Sequence, residues 1–385
     1  MRRLLGIALL TAAAALAIAV SGALFPAPSR SLLPLTVAAP ELTPWIAAGA
    51  LLLIVLALLF GSSNTRGVVF VVCTFTTLVS LTVLGRLPAT LRMAHVRVAS
   101  ALRGDSEDAS AVRLSIRTLF TGLPAAEVRE THGVAIGEAQ GQPLTADIYQ
   151  PATGGGPAIV QIYGGAWQRG EPGDNAAMAR YLAARGYVVF AVDYRHAPAW
   201  RWPAQLEDVQ RGIDWVRRNA ESYDADPARM ALIGRSAGGH LALMGAYASK
   251  TEGLRAVVSL YGPSDLVNGY LDVPRPDPID VRATLQAFLG GTLDSLPDAY
   301  RDASPITYAD RPQPPTLQIV GERDHIVLPR FARSLDQHLR AAGNVSALVE
   351  IPWADHAFDV VPFGPSAQIA LHAIETFLGG VLKNP

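Results

Sequence analysis

Ser236 stands in the pentapeptide Gly234-Arg235-Ser236-Ala237-Gly238, directly after the apolar run Arg229 to Ile233. A serine that attacks a carbonyl carbon must sit on a turn tight enough to project its Oγ above a sheet, with the next backbone N–H aimed at the substrate oxygen. Side chains two residues to either side would collide there, and Gly234 and Gly238 remove them. The bare G-x-S-x-G spacing is weak; between a strand and a helix it becomes specific. Serine also needs a base to take its proton and an acid behind that base. On such a sheet the chain order is Ser, then Asp or Glu, then His. Of the later histidines, His240 is too constrained on the nucleophile's own helix, while His338 and His372 fall in helical patterns. His325 directly follows the best acid. Only His356 lies in a loop, Trp353 to Phe358, just after an apolar strand. The acid is expected in the loop Gly321-Glu322-Arg323-Asp324, with Asp324 favoured and Glu322 the runner-up. Asp355 and Asp359 flank His356 too closely to orient its ring and are expected to form turns or to contact solvent. Gly164 and Gly165 follow another strand and leave bare backbone for a bound oxyanion. With the N–H of Ala237 they make a three-donor hole.

These residues need a scaffold. Beyond Pro124, short apolar runs alternate with amphipathic stretches, the pattern of a mainly parallel sheet with helices on both faces. Strands are expected at Thr145 to Tyr149, Ala158 to Tyr163, Tyr187 to Tyr194, Arg229 to Ile233, Thr316 to Val320 and Ser346 to Ile351. Helices are expected at Asn175 to Arg185, Ala204 to Asn219, from near Gly239, Leu328 to Ala342 and Ser366 to Leu378. Leu206, Val209, Ile213 and Val216 share one face of the second.

Tyr163-Gly164-Gly165-Ala166-Trp167 resembles the H-G-G-G-[FW] or H-G-G-A-W loop of the hormone-sensitive-lipase-like and feruloyl-esterase-like branches of the α/β-hydrolases. Asp193 to Pro198, followed by Trp202 to Asp208, is similar to their D-Y-R-L-A-P…F-P-A-x-x-x-D stretch. Gly234 to His240 resembles G-x-S-A-G-G-H, and Gly321 to Pro329 their acid loop, with one extra residue before the proline. The likeness runs from about Val134 to Leu378. It implies an α/β-hydrolase fold and carboxylic-ester hydrolysis through an acyl-enzyme, without a cofactor. Trp167 and Tyr163 are expected at the substrate site. Tyr163 replaces the family's histidine, which usually supports the loop, a task its hydroxyl can take over.

The first third of the chain is different. Half of the 385 residues are hydrophobic and only 17% are charged, too apolar for a soluble protein of average make-up. Between Met1 and Leu87 the single acidic residue is Glu41. Leu4 to Phe25, Trp45 to Phe60 and Gly67 to Gly85 are uncharged and close to the ~20 residues that span a bilayer core. The expected organisation is a transmembrane region (1–86), an amphipathic helical linker (87–124) broken around Gly104-Asp105, and a catalytic domain (125–385). Within the last, 262–312 is a candidate lid or insert. The first segment also has the make-up of a cleaved signal peptide, and the linker suits either the membrane surface or the catalytic domain. Arg2, Arg3 and Arg66 would lie on one side of the membrane. Arg30, Arg86, Arg92, Arg97 and Arg103 would lie on the other. The positive-inside count favours a cytoplasmic catalytic domain, and the basic N-terminus favours the opposite.

A net charge of −1 gives no electrostatic footprint for nucleic acid. No zinc or haem spacing is present. Cys73, the lone cysteine, reads as a small buried hydrophobe. The expected protein is a membrane-anchored serine esterase acting on short or medium acyl esters, including lipid-derived ones. Amide or peptide cleavage on the same fold and an inactive membrane scaffold are the alternatives.

Overall fold

Residues 2–102 are mainly helical in the computed structural model, which describes residues 2–102, 115–124, 127–248 and 253–382. The helices are α1 (Arg2–Ser21), α2 (Leu33–Glu41), α3 (Thr43–Phe60) and α4 (Ser63–Ala101). Three of them, Arg3–Ser21, Thr43–Phe60 and Ser63–Ala101, are long and apolar enough to cross a membrane. Leu9, Ala13, Ala50, Ala57, Val69 and Cys73 pack between them, and the small residues let the backbones approach. Leu4, Ile7, Leu52, Leu59 and Val71 face outward and are exposed.

One expectation needs correction here. The third apolar segment does not end at Gly85: α4 continues through Pro88 to Ala101 as one helix of 39 residues. At 1.5 Å per residue that is roughly 58 Å, about twice a bilayer core. The second half packs into the core of the α/β domain. Leu87, Leu91, Ala94 and Val98, spaced to share one helical face, are buried in one cluster with Ile159, Val189, Ile233 and Phe377. Each of the leucine and valine side chains contributes about 2 kcal/mol by burial. Of the two places open to this amphipathic stretch, the membrane surface and the α/β domain, its apolar stripe takes the second, packing on the sheet as a continuation of α4. The expected break at Gly104-Asp105 lies outside the described residues. A short helix, α5 (Ile116–Thr121), leads into the sheet and sets Phe120 against Trp45 of α3, ring centroids 5.2 Å apart.

The α/β domain continues as β1 (Val128–Ala139), β2 (Gln142–Pro151), β3 (Gly156–Ile162), α6 (Ala176–Ala183), β4 (Val188–Val192) and α7 (Ala204–Asn219). After these come β5 (Ala225–Arg235), α8 (Ala237–Tyr247), β6 (Leu254–Leu260), α9 (Leu266–Leu271), α10 (Val281–Leu289) and α11 (Pro297–Asp302). The last elements are β7 (Thr316–Gly321), α12 (Pro329–Ala341), β8 (Ser346–Ile351) and α13 (Pro365–Leu382). The eight strands form one sheet in the order β1-β2-β4-β3-β5-β6-β7-β8. β1 and β2 pair antiparallel, β2 pairs antiparallel with β4, and every other pair is parallel. The central strands read as unbroken apolar runs because both faces are covered. Ile159 and Val160, adjacent in β3, serve the two opposite cores.

The hairpin strand β1 and the strand β6 were not singled out from sequence, and β5 starts four residues before the expected Arg229. Most of β1 faces solvent, so it lacks the alternation that marks a half-buried strand.

Candidate active site

Ser236 sits between the end of β5 and the first turn of α8 with φ 53° and ψ −121°. That conformation costs a non-glycine residue on the order of 1–3 kcal/mol and is held by the Ser236 N–H donating to Leu260 O at 2.9 Å. A Cβ on Gly238 would strike the carbonyl oxygens of Ile162 and Tyr163, and one on Gly234 the carbonyl of Gly238. The two glycines therefore permit the turn, as their spacing implies.

Three loops converge on the serine. Its Oγ lies 2.8 Å from Nε2 of His356, on the segment after β8. Nδ1 of His356 lies 2.8 Å from Oδ2 of Asp324, on the loop after β7. The other carboxylate oxygen of Asp324 accepts the N–H groups of Ile326 at 2.9 Å and Val327 at 2.8 Å. Asp324 and His356 are buried, so each hydrogen bond acts at low effective dielectric. With Nδ1–H donated to Asp324, Nε2 is left as the acceptor of the serine proton. Glu322, the alternative acid, is exposed. His338 is exposed against Ser334 O, and His372 lies 3.1 Å from His95 of α4.

Above the serine, the backbone after β3 turns through Gly164 and Gly165, with a φ of +129° at Gly165. Gly164 and Gly165 line the same cleft as Ser236 and His356. The N–H groups of Gly164, Gly165 and Ala237 have no protein acceptor among the described residues. The N-terminal end of α8 adds its positive dipole at that point.

Trp167 and Tyr163 part company. Trp167 lines a small apolar cavity of about 60 Å³ with Ala237, Leu266, Leu285 and Phe331. Its indole stacks on Phe288, centroids 4.2 Å apart, and its N–H donates to Nδ1 of His240 at 3.1 Å. His240 faces Ala303 O at 2.7 Å through its other nitrogen, and burial pushes its pKa down to about 4. It stays a neutral prop. Tyr163 is not in either cavity beside Ser236. It is buried, stacked on Tyr194, with its hydroxyl donating to Asp193 at 2.6 Å and touching His196 at 2.9 Å. Of the two places expected for Tyr163, the one at the substrate is corrected: its side chain is turned away from both cavities and tied to the chain after β4, behind the glycine loop.

Asp355 and Asp359 are not solvent contacts either. Asp355 is buried and receives Nδ1–H of His325 at 2.8 Å and the backbone N–H of His356 at 2.7 Å. The pairs Asp324–His356 and Asp355–His325 therefore cross between the two loops. Asp359 takes the guanidinium of Arg235 at 2.7 Å and the hydroxyl of Tyr261. Tyr261 in turn lies edge-on to His356, centroids 4.7 Å apart. Two adjacent Asp-His dipeptides, Asp324-His325 and Asp355-His356, were the signal for this crossing. Deeper in the fold, Arg195 and Asp208 form a buried ion pair at 2.6 Å that ties the chain after β4 to α7.

The family model for BD-FAE matches residues 146–339, half of the chain, and spans both the Gly164-Gly165 loop and the loop that carries Asp324. The chain belongs to that family. Among curated relatives of this BD-FAE chain, esterase LipC of Mycobacterium tuberculosis (strain ATCC 25618 / H37Rv) is 36% identical over 247 residues, 59% of this chain and 59% of LipC. The chain thus spans under two thirds of the length of that relative. The carboxyl esterase 2 of the mycorrhizal fungus Tuber melanosporum superposes with a TM-score of 0.59 at 24% identity, over 67% of this chain and 88% of its own, and shows the shared α/β-hydrolase fold. Esterase 2 of Thermogutta terrifontis, phosphonylated by sarin, superposes with a TM-score of 0.51 at 27% identity, over 61% of this chain and 87% of its own.

Proposed function

We propose that this BD-FAE chain is a membrane-anchored carboxylic ester hydrolase working through a Ser236 acyl-enzyme. The observation that carries the reading is the line of hydrogen bonds from Asp324 through His356 to Ser236, both links 2.8 Å, ending on a strained turn. Ser236 Oγ attacks the ester carbonyl carbon while His356 Nε2 takes its proton. Asp324 holds the imidazole in the required tautomer and stabilises the imidazolium. The N–H groups of Gly164, Gly165 and Ala237 receive the oxyanion, a service worth on the order of 10²–10³ in rate for each donor. Collapse breaks the bond to the alcohol oxygen, which leaves with the proton from His356. Water then attacks the acyl-enzyme, gives its proton to His356, and frees the acid and Ser236.

His356 also decides which half of the ester lies where. The leaving oxygen must be within reach of Nε2, and His356 lines the large cleft of about 910 Å³. It does not line the 60 Å³ apolar cavity on the Trp167 side. The alcohol portion therefore occupies the cleft and a short acyl chain the cavity. Three apolar helices anchor the enzyme, and with three spans the N-terminus and the catalytic domain lie on opposite membrane faces.

The likeness to esterases, one of them phosphonylated by sarin, supports a direct test with an organophosphorus probe. The wild-type chain should be labelled by a fluorophosphonate and should hydrolyse 4-nitrophenyl butyrate. Ser236→Ala should lose both. Labelling that survives this substitution would mean another nucleophile.

A further inference from the structure

The connection between the first two apolar helices, residues 22–42, reaches the catalytic cleft. Arg30, Leu33 and Pro34 form one wall of the 910 Å³ cavity that Ser236 and His356 line from the other side. Two contacts fasten this wall to the loops that carry the acid and the base. The guanidinium of Arg323, next to Asp324, donates to the carbonyl of Ala23. The carboxyl of Glu41, buried, accepts the backbone N–H of Ser366 at 2.9 Å and its hydroxyl at 2.5 Å. Ser366 in turn accepts the indole N–H of Trp353 at 2.9 Å, and Trp353 stands three residues before His356.

The depth of this wall follows from the packing. Val20 and Ala23, Ile46 and Val79 share one cluster, so the connection lies level with Val79 of α4. One turn further along α4, Val83 already packs in the core of the catalytic domain. The cleft thus sits against the end of the apolar bundle, which the anchored reading places where a bilayer gives way to water. Around Arg30 the connection exposes Leu24, Phe25 and Leu32. Apolar side chains beside a guanidinium suit a segment lying in that interface, the stem in the acyl boundary and the charge among headgroups.

We propose that residues 22–42 are a built-in wall of the substrate site and that the enzyme takes amphiphilic esters resident in the membrane, with a short acyl group and a long-chain alcohol. This rests on the esterase reading above. A substrate already dissolved in the bilayer reaches the cleft by lateral movement. Each additional methylene raises its share in the bilayer about fourfold, so the alcohol chain, lying along Leu33 and Pro34, sets the local concentration as well as the contact.

The test uses the full chain in lipid nanodiscs, with dodecyl butyrate dispersed in the bilayer and ethyl butyrate, an equally unactivated ester, in water. Wild type should favour dodecyl butyrate by at least about tenfold in kcat/KM. Arg30→Ala and Leu33→Ser should each lower that preference about tenfold, through KM for the dodecyl ester, while melting within a few degrees of wild type. Equal losses on both esters would reduce the wall to a structural support and overturn the proposal. So would a wild-type chain that hydrolyses the soluble ester and shows no preference for the bilayer-borne one. Failure on every ester, with no fluorophosphonate labelling, would instead overturn the esterase reading.

Discussion

Glu41→Gln removes the single acidic group of the first 87 residues and leaves an amide that can still accept the Ser366 N–H. Burial under the catalytic domain pushes the Glu41 carboxyl from its ordinary 4.5 up to about 8. The two hydrogen bonds from Ser366 pull the other way, and Asp359 adds repulsion. Between those two values the folded chain holds a proton that the unfolded chain has released. Native stability must therefore fall as pH rises from about 4.5 to about 8, and the favourable contribution is gone above that range. At about 1.4 kcal/mol for each pH unit, the interval caps the loss at ~5 kcal/mol. Relaxation around the new charge should bring it to about half of that, or a shift on the order of 5 °C in Tm. Thermal melts of wild type and Glu41→Gln in nanodiscs, at steps from pH 5 to pH 9, isolate the effect, since every other group titrates in both proteins. Wild type should lose ground to the variant from pH 5 to about pH 8, and the difference should level off above that. A Tm difference that stays flat would refute the burial argument. One that moves in favour of wild type with rising pH would show that the carboxylate is the form this interface prefers.

Two further outcomes follow from the site and its support. Asp324→Asn should lower kcat for 4-nitrophenyl butyrate by on the order of 10³–10⁴ with little change in KM, because an amide no longer holds His356 in the accepting tautomer. A loss under tenfold would shift the acid role elsewhere. Asp208→Asn leaves the buried guanidinium of Arg195 short of its carboxylate and should cost about 3–5 kcal/mol in a denaturant titration of the full chain. A midpoint unchanged from wild type would mean that this pair is not a structural tie.

Much of the site was legible because its constraints are local. A serine between two glycines, at the junction of an apolar strand and a helix, defines its own turn, and Gly234 and Gly238 are demanded by atoms that lie close in sequence. The order of acid and base follows from the order of the strands, so Asp324 and His356 emerged by elimination, and the parallel sheet from its unbroken apolar runs. The apolar helices were equally plain, since bilayer thickness sets a length that composition alone can meet.

What the sequence left open depends on contacts between residues far apart in it. Tyr163 was ambiguous until its hydroxyl met Asp193 and His196. Asp355 looked like a turn residue until His325 proved to face it across two loops. The amphipathic stripe at the end of α4 suited the membrane surface and the catalytic domain alike, and contact with the sheet decided between them. Above all, nothing near Arg30 in the sequence announces an active site. The amphipathic pattern of a helix tells which face must be covered but not by what. Only the folded chain, closing several hundred residues between Glu41 and Ser366, decides that the membrane end and the catalytic end share one cleft.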